Sequence, residues 1–257
     1  MKDIVPQFNN LSTNMELKLI AAFNKYLKIG GFPMVIREND LELLSAYFRD
    51  VLYRDIISRY LVTQVEEIKQ IALYFFSNTS KIFSYNTLRK ITGIKSLSTI
   101  KKYLDYFAQS YLFFYVRKYD FSVKKQILNS RKVYCIDQGF VNHIGFGFSE
   151  DRGRVLENVV FIELKRQGNE VFYFSDKKEC DFVIRQGFNI TQAIQVVYNL
   201  HKENINRELA GLQEAIEKFN LKKGLLLVVE NQIDMHEIPD NIEVLPVWKW
   251  LLSKREK

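Results

Sequence analysis

Cysteine, histidine and proline are scarce in this 257-residue chain, at 2, 3 and 4 copies, and glycine is sparse at 11. Cys135 and Cys180 stand 45 positions apart with no CxxC, and His143, His201 and His236 are scattered. Neither a zinc site nor a disulfide framework is expected, and a reducing, cytoplasmic location is the default. So little proline and glycine leaves no room for long flexible linkers. Long apolar runs are missing as well: GLLLVVE at 224–230 falls far short of the ~20 residues a membrane span needs, so no membrane is expected as a partner. The opening MKDIVPQFNN lacks the apolar stretch of a secretory signal. No GxxxxGK[ST] occurs, so no phosphate-cradling loop for ATP is evident.

What the chain does have is apolar residues at 47%, aromatics at 14% and a net charge of +7. The first two fit a folded chain of one large or two modest domains, each with a core of its own. The charge is unevenly placed. From Lys81 to Lys132 twelve basic residues face only Asp105 and Asp120, which gives +10 there and −3 elsewhere. Such asymmetry points to an anionic partner, with nucleic acid (DNA above all) in front; the alternative is a lysine-rich solvated surface.

In the first half, residues 15–28 have helical periodicity and stop at GGFP (30–33), where two glycines can take positive φ and Pro33 cannot continue a helix. A second helix is expected over 40–61, with Asp50, Arg54, Asp55 and Arg59 spaced for ion pairs between turns. Three compact helices follow: VEEIKQIALYFFSN; SYNTLRKITGI, with Ser84 as N-cap and Leu88 and Ile91 inward; and SLSTIKKYLDYFAQSYL, with Tyr111 among its inward residues. Strand-like LFFYVRKYD and KVYCID then flank a basic loop, SVKKQILNSR. That is the order of a winged helix. Its third helix would bring Lys95, Thr99, Lys101 and Lys102 to a groove, and its wing Lys124, Lys125 and Arg131 to phosphates. Winged helices also serve as protein-interaction modules, in which case these lysines only solubilise.

Beyond about residue 150 the order becomes helix, three strands, helix, strand: GRVLENVVFIELKRQG, VFYFS (171–175), ECDFVIR (179–185), TQAIQVVY (191–198), NRELAGLQEAIEKF and GLLLVVE. IEVLPV and a short helix with Trp248 and Trp250 close the chain. In ECDFVIRQGFNITQAIQVVYN, Glu179 and Asp181 share one face of a strand, ~6.6 Å apart along it. With Glu157 from the preceding helix they make a candidate Mg²⁺ or Mn²⁺ set, since phosphodiester hydrolysis needs hard oxygen ligands and a neighbouring cation. Across the turn, where such sites carry E-x-K, this chain has Gln195-Val196-Val197. Gln195 offers a carbonyl oxygen without charge, and Val197 offers nothing. Arg185 lies at the turn end of the strand, and Lys165 is eight residues past Glu157, ~12 Å along the helix. Neither replaces the lysine. The bland reading makes Glu179 and Asp181 structural carboxylates.

GGFP (30–33), YFRDVLYRDI (47–56), KVYCIDQGF (132–140), GRVLENVVFIEL (153–164) and ECDFVI (179–184), in that order, resemble the C-terminal domain, of unknown function, in a large family of archaeal and bacterial AAA+-type ATPases. The resemblance runs from about residue 20 to the end. It implies a winged helix followed by a fold similar to PD-(D/E)xK nucleases and archaeal Holliday-junction resolvases, and a missing N-terminal ATPase domain or an ATPase partner. It assigns Glu157 as the helix acid and Asp181 as the central acid, with Gln195 and Val197 in place of the second acid and the lysine. Glu179, Lys132, Asp137 and Gly139 match family positions too, Asp137 reading as a cap after the KVYCI strand. The expected fold is α/β (α+β overall): a helical N-terminal segment (1–62), a winged helix (63–148) and a restriction-endonuclease-like αβββαβ core (149–257).

Three functions compete. The leading one is a non-catalytic nucleic-acid- or partner-binding module with a degenerate nuclease-like core. The second is a divergent Mg²⁺/Mn²⁺-dependent DNA nuclease using Glu157, Glu179 and Asp181. The third is a protein-interaction domain regulating a separate ATPase.

Overall fold

The computed structural model describes residues 11–146 and 152–253; the expected boundary at 148 and 149 lies outside them. The described chain is mixed α/β, with eleven α-helices and two sheets, and divides into two compact units. Tyr26–Ile162 forms one, and Glu163–Lys257 with Met1–Lys25 the other. No helix among the described residues is long and apolar enough to cross a membrane.

In chain order come α1 (Thr13–Ile29), α2 (Pro33–Glu38), α3 (Glu42–Asp50), a π-helical stretch (Val51–Ser58) and α4 (Val65–Ser77). Gly30, at φ 85°, ends α1. Pro33 does more than stop a helix: it occupies the first turn of α2, where its missing N–H costs nothing. The expected single helix over 40–61 is split by the π-helical stretch, and the residue spacing explains why. Leu44, Phe48, Leu52 and Ile56 are all buried and recur every four residues. In an α-helix a four-residue step overshoots one turn by about 40°, so the apolar stripe would wander around the axis. The wider π turn falls short of one turn in the same step and brings Leu52 and Ile56 back into line. The wider turn also undoes the expected ion pairing, since Arg54 bonds its neighbour Asp55 at 2.8 Å instead of reaching across a turn.

The unit continues with β1 (Ile82–Phe83), α5 (Tyr85–Thr92), α6 (Leu97–Gln109), β2 (Phe113–Arg117), α7 (Val123–Leu128), β3 (Arg131–Cys135), α8 (Gln138–Ile144) and α9 (Arg152–Arg166), of which residues 152–162 belong here. Ser84 caps α5 by accepting from the Thr87 N–H at 3.1 Å, and Gly93, at φ 72°, ends it. The strands form one antiparallel sheet in the order β1-β3-β2. Its core is aromatic: the Phe76 ring lies 4.8 Å from Phe113 and 5.2 Å from Phe48, and Phe75 lies 4.9 Å from Phe83. Pairs of this kind contribute about 0.5–1.5 kcal/mol each beyond their buried area. Three expectations are corrected. Ile91 and Tyr111 are exposed, Tyr111 because it lies past the end of α6 at φ 58°. The basic connection before β3 is no open loop, because Ser122 caps α7 within it by accepting from the Lys125 N–H.

Asp137 caps α8, as its place after β3 suggests, and also reaches across the unit. One carboxylate oxygen accepts the Gly139 N–H and the other the Gly31 N–H, both at 2.7 Å. A Cβ at Gly139 would come within 2.7 Å of the Ile29 carbonyl oxygen, which fixes glycine there. Burial raises the Asp137 carboxyl above the ordinary carboxylate range despite the two N–H bonds. The folded chain therefore holds this proton more tightly than the unfolded chain does. The resulting stabilisation is complete below the unfolded pKa and is lost as pH rises through the folded one. Asp137→Asn should remove that slope while costing about 1–3 kcal/mol, because its amide NH₂ opposes one of the two backbone donors. Urea midpoints of both proteins across the acid range would check it.

The second unit holds β4 (Glu170–Ser175), β5 (Glu179–Gln186), β6 (Asn189–Leu200), α10 (Ile205–Lys218), β7 (Gly224–Asn231), β8 (Ile242–Pro246) and α11 (Val247–Leu252). Its sheet runs β4-β5-β6-β7-β8, antiparallel through β6 and parallel beyond it. β7 is buried at its first five positions, as its unbroken apolar run requires. α10 makes the crossover between the parallel strands β6 and β7 and lies close against β5. A Cβ at Gly211 would overlap the Glu179 carbonyl. Glu214 accepts the N–H groups of Lys177 and Lys178 at 2.9 and 2.8 Å, which fastens the β4–β5 turn to α10.

Candidate functional site

The acidic strand β5 carries Glu179 exposed and Asp181 buried. The β5–β6 ladder runs from the hairpin turn to the pair Phe182–Ile194, and beyond that pair side chains take over. The Asp181 carboxylate accepts the Val196 N–H at 3.0 Å, and the Gln195 carbonyl oxygen accepts the Asp181 N–H at 3.2 Å. The Gln195 NH₂ in turn donates to Glu208 of α10 at 3.3 Å. Asp181 and Gln195 thus satisfy the main chain where the two strands part, a structural task for both. Val197 is buried and pairs with Val228 of β7, as befits an apolar residue within the sheet. Arg185 is occupied by Glu170, with a hydrogen bond of 2.7 Å, and stacks on Phe172.

Glu157, on α9 in the other unit, has a different setting. Its Oε1 accepts from the Lys132 ammonium at 2.9 Å and from the Tyr134 hydroxyl at 2.6 Å. The Tyr134 ring stacks on Phe161 at 4.1 Å. Lys132 is 2% and Glu157 9% exposed, so this is a buried ion pair. Removing either partner of a buried pair costs far more than keeping both. A lysine therefore does stand beside an expected catalytic acid, though it comes from β3 and not from an E-x-K on β6. The neighbouring Asn158 is fully buried. Its amide accepts the Cys135 N–H at 2.8 Å and donates to the Cys135 carbonyl at 3.0 Å, while Thr79 donates to it at 3.1 Å. Among the described residues no three His, Cys, Asp or Glu side chains are grouped to hold a metal ion. Of the expected Mg²⁺ or Mn²⁺ trio, Glu157 belongs to one unit and Glu179 and Asp181 to the other. Cys135 and Cys180 are both free and buried, and burial pushes the Cys135 thiol up, away from nucleophilic chemistry.

The basic residues fare differently. Lys95 sits exposed in the α5–α6 turn, half-buried Thr99 in the first turn of α6, and Lys101 and Lys102 exposed along α6. Lys124 and Lys125 are exposed on α7; Lys125 lies 3.9 Å from Asp120. Arg131 opens β3. The structure brings two of these together: Lys101 and Arg131 lie 5.4 and 5.6 Å from the centre of the Tyr85 ring. Nothing in the sequence singles out Tyr85, because a tyrosine just inside a helix cap carries no signal of its own. Lys95 and Thr99 share a groove with Glu67, an acid that disfavours an anion at that spot.

The match to known families is split along the chain. One family model, described as a domain of unknown function (DUF8612), matches residues 20–152, and a second, also a domain of unknown function (DUF4143), matches residues 152–250. An uncharacterized protein of Methanocaldococcus jannaschii is 33% identical over 261 residues, covering 94% of this chain and 58% of its own length. An uncharacterized protein of Haemophilus influenzae is 32% identical over 239 residues, covering 90% of this chain and again 58% of its own. The chain thus spans well under two thirds of either relative. No solved structure matches it. With more than half of its length under the first model, the chain belongs to the DUF8612 family.

Proposed function

We propose that this chain is a non-catalytic nucleic-acid-binding module: a winged helix joined to a PD-(D/E)xK nuclease-like core that no longer cleaves. The observation that carries the reading is the set of cations left without carboxylate partners. Among the described residues Lys95, Lys101, Lys102, Lys124 and Arg131 form no ion pair, and all five lie within the +10 window. The order α4-β1-α5-α6-β2-α7-β3, with strands arranged β1-β3-β2, supports a winged helix in which α6 enters a groove. The order α9-β4-β5-β6-α10-β7 supports the resolvase-like core. Against cleavage stand Gln195 and Val197 where acid and lysine belong, and an Asp181 carboxylate engaged with the Val196 N–H. The resemblance to C-terminal domains of AAA+-type ATPases supplies the setting, so the module works beside an ATPase in the same or a separate chain.

Titration of the chain with duplex, forked and four-way DNA tests this. Binding should weaken with salt, with a log–log slope of roughly −3 to −5 if most of these cations meet phosphates. No DNA or RNA should be cleaved with Mg²⁺ or Mn²⁺. Cleavage abolished by Asp181→Asn would overturn the non-catalytic half of the reading. Absence of salt-dependent binding, with firm copurification of an ATPase, would favour a protein-interaction domain instead.

A further inference from the structure

Two buried polar atoms of the first unit, the Arg131 Nε and the Tyr115 hydroxyl, lack a hydrogen-bond partner among the described residues. They belong to one place. In the β2–β3 ladder Tyr115 pairs with Val133 and Arg117 with Arg131, so Arg131 and Tyr115 are diagonal neighbours on the same face of the sheet. Phe83 of β1 lies opposite Arg131, and its ring is 5.6 Å from that of Tyr115. From the helices come Tyr85, beside Arg131, and Lys101, beside Tyr85. Arg131 is half-buried and Lys101 exposed, so the cluster opens to solvent on the lysine side. The acid that bears on it is Asp105, one turn beyond Lys101 on α6, and it pairs with neither cation. A fork of N–H groups with a buried donor unspent, a second cation against the same tyrosine ring and no carboxylate bond describe a receptor for a compact oxyanion.

We propose that Tyr85, Lys101, Tyr115 and Arg131 form a receptor for one backbone phosphate of a nucleic-acid strand. This rests on the nucleic-acid reading above and narrows it to one anchoring contact. The Arg131 Nε–H and guanidinium edge bind two phosphate oxygens, the Tyr115 hydroxyl donates from beneath, and the Lys101 ammonium closes the solvent side. Tyr85 contributes no hydrogen bond; its ring lies beside both cations, whose mutual repulsion the phosphate relieves.

Two measurements on the full chain test it. In the first, a duplex of mixed sequence is titrated at several salt concentrations into wild type, Arg131→Gln, Lys101→Gln and the double variant. Arg131→Lys serves as a charge-preserving control for folding. Each single change should weaken binding about tenfold and lower the salt slope by about one. The double variant should lower the slope no further, because both side chains meet the same phosphate. In the second, inorganic phosphate is added to ¹⁵N-labelled wild type while the Arg131 Nε–H resonance is followed; a saturable shift is expected. If the duplex binds but the double variant keeps the wild-type slope and the resonance is silent, the receptor is overturned and the nucleic-acid reading stands. If the resonance shifts while no nucleic acid binds, the nucleic-acid reading falls, and with it the assignment of this phosphate to a strand. A slope that falls by two in the double variant also overturns the single-phosphate receptor.

Discussion

Lys132→Met is expected to remove about 3–5 kcal/mol of folding stability. Lys132 is 2% exposed and donates to a carboxylate that is itself buried, so the substitution takes a buried ion-pair partner from Glu157. The Tyr134 hydroxyl still donates to that carboxylate, but a neutral donor does not offset a buried charge. The direction of rescue separates charge from packing. Lys132→Met combined with Glu157→Leu should recover most of the loss, since an apolar pair of similar volume often replaces a buried ion pair at little cost. Urea unfolding of the two single variants and the double, read as midpoints at constant slope, decides the matter. If Lys132→Met alone is neutral, or the double variant adds the two single losses, the pair does not act as a buried ion pair.

Asn158→Ala should cost about 2–4 kcal/mol, because it leaves buried backbone groups without partners. β1 is only two residues long and pairs with Arg131 and Lys132, so Cys135 on that side of β3 has no strand to meet. The Asn158 amide takes the place of that missing strand, bonding both the N–H and the carbonyl of Cys135. Asn158→Asp keeps an acceptor for the N–H but sets a carboxylate oxygen against a carbonyl, and it should fare no better than alanine. Besides the unfolding midpoint, hydrogen exchange at the Cys135 amide is informative: its protection should fall far more than that of Phe107, deep in the helical core. Equal losses at both positions would mean that Asn158 acts through global stability alone.

These two positions mark the limit of what could be read from the chain beforehand. β4 to β7, α9 and α10 were legible because alternation and helical spacing report burial directly, and each expected segment matches its observed element to within a few residues. The caps at Ser84 and Asp137 were legible because capping is local. Glu157 and Asp181 stood out as acids, but their occupation by Lys132 and by the Val196 N–H did not. Those partners lie 25 and 15 positions away in the chain, and no period in the sequence links them. The same holds for the meeting of Lys101 and Arg131 at Tyr85. α7 was missed because six residues with exposed Val123, Ile127 and Leu128 have no apolar face to announce a helix. Three of the five segments that suggested a family turn out to grip one another: GGFP holds Asp137 through Gly31, and the KVYC strand holds Glu157 and Asn158. Much of what makes those segments distinctive is the joinery of a fold.

The π-helical stretch from Val51 to Ser58 has a consequence for how this chain tolerates changes in length. A π turn houses one residue more than an α turn does, in a helix whose two ends are held by packing. Losing a single residue inside the stretch lets the backbone relax to the ordinary i→i+4 ladder while α3 and α4 keep their seats in the core. The same loss inside α4 or α6 would rotate every following side chain by about 100° and turn the aromatic core outward. Short insertions and deletions among relatives should therefore collect here, inside a buried helix, as well as in the surface turns where length variation is usually sought.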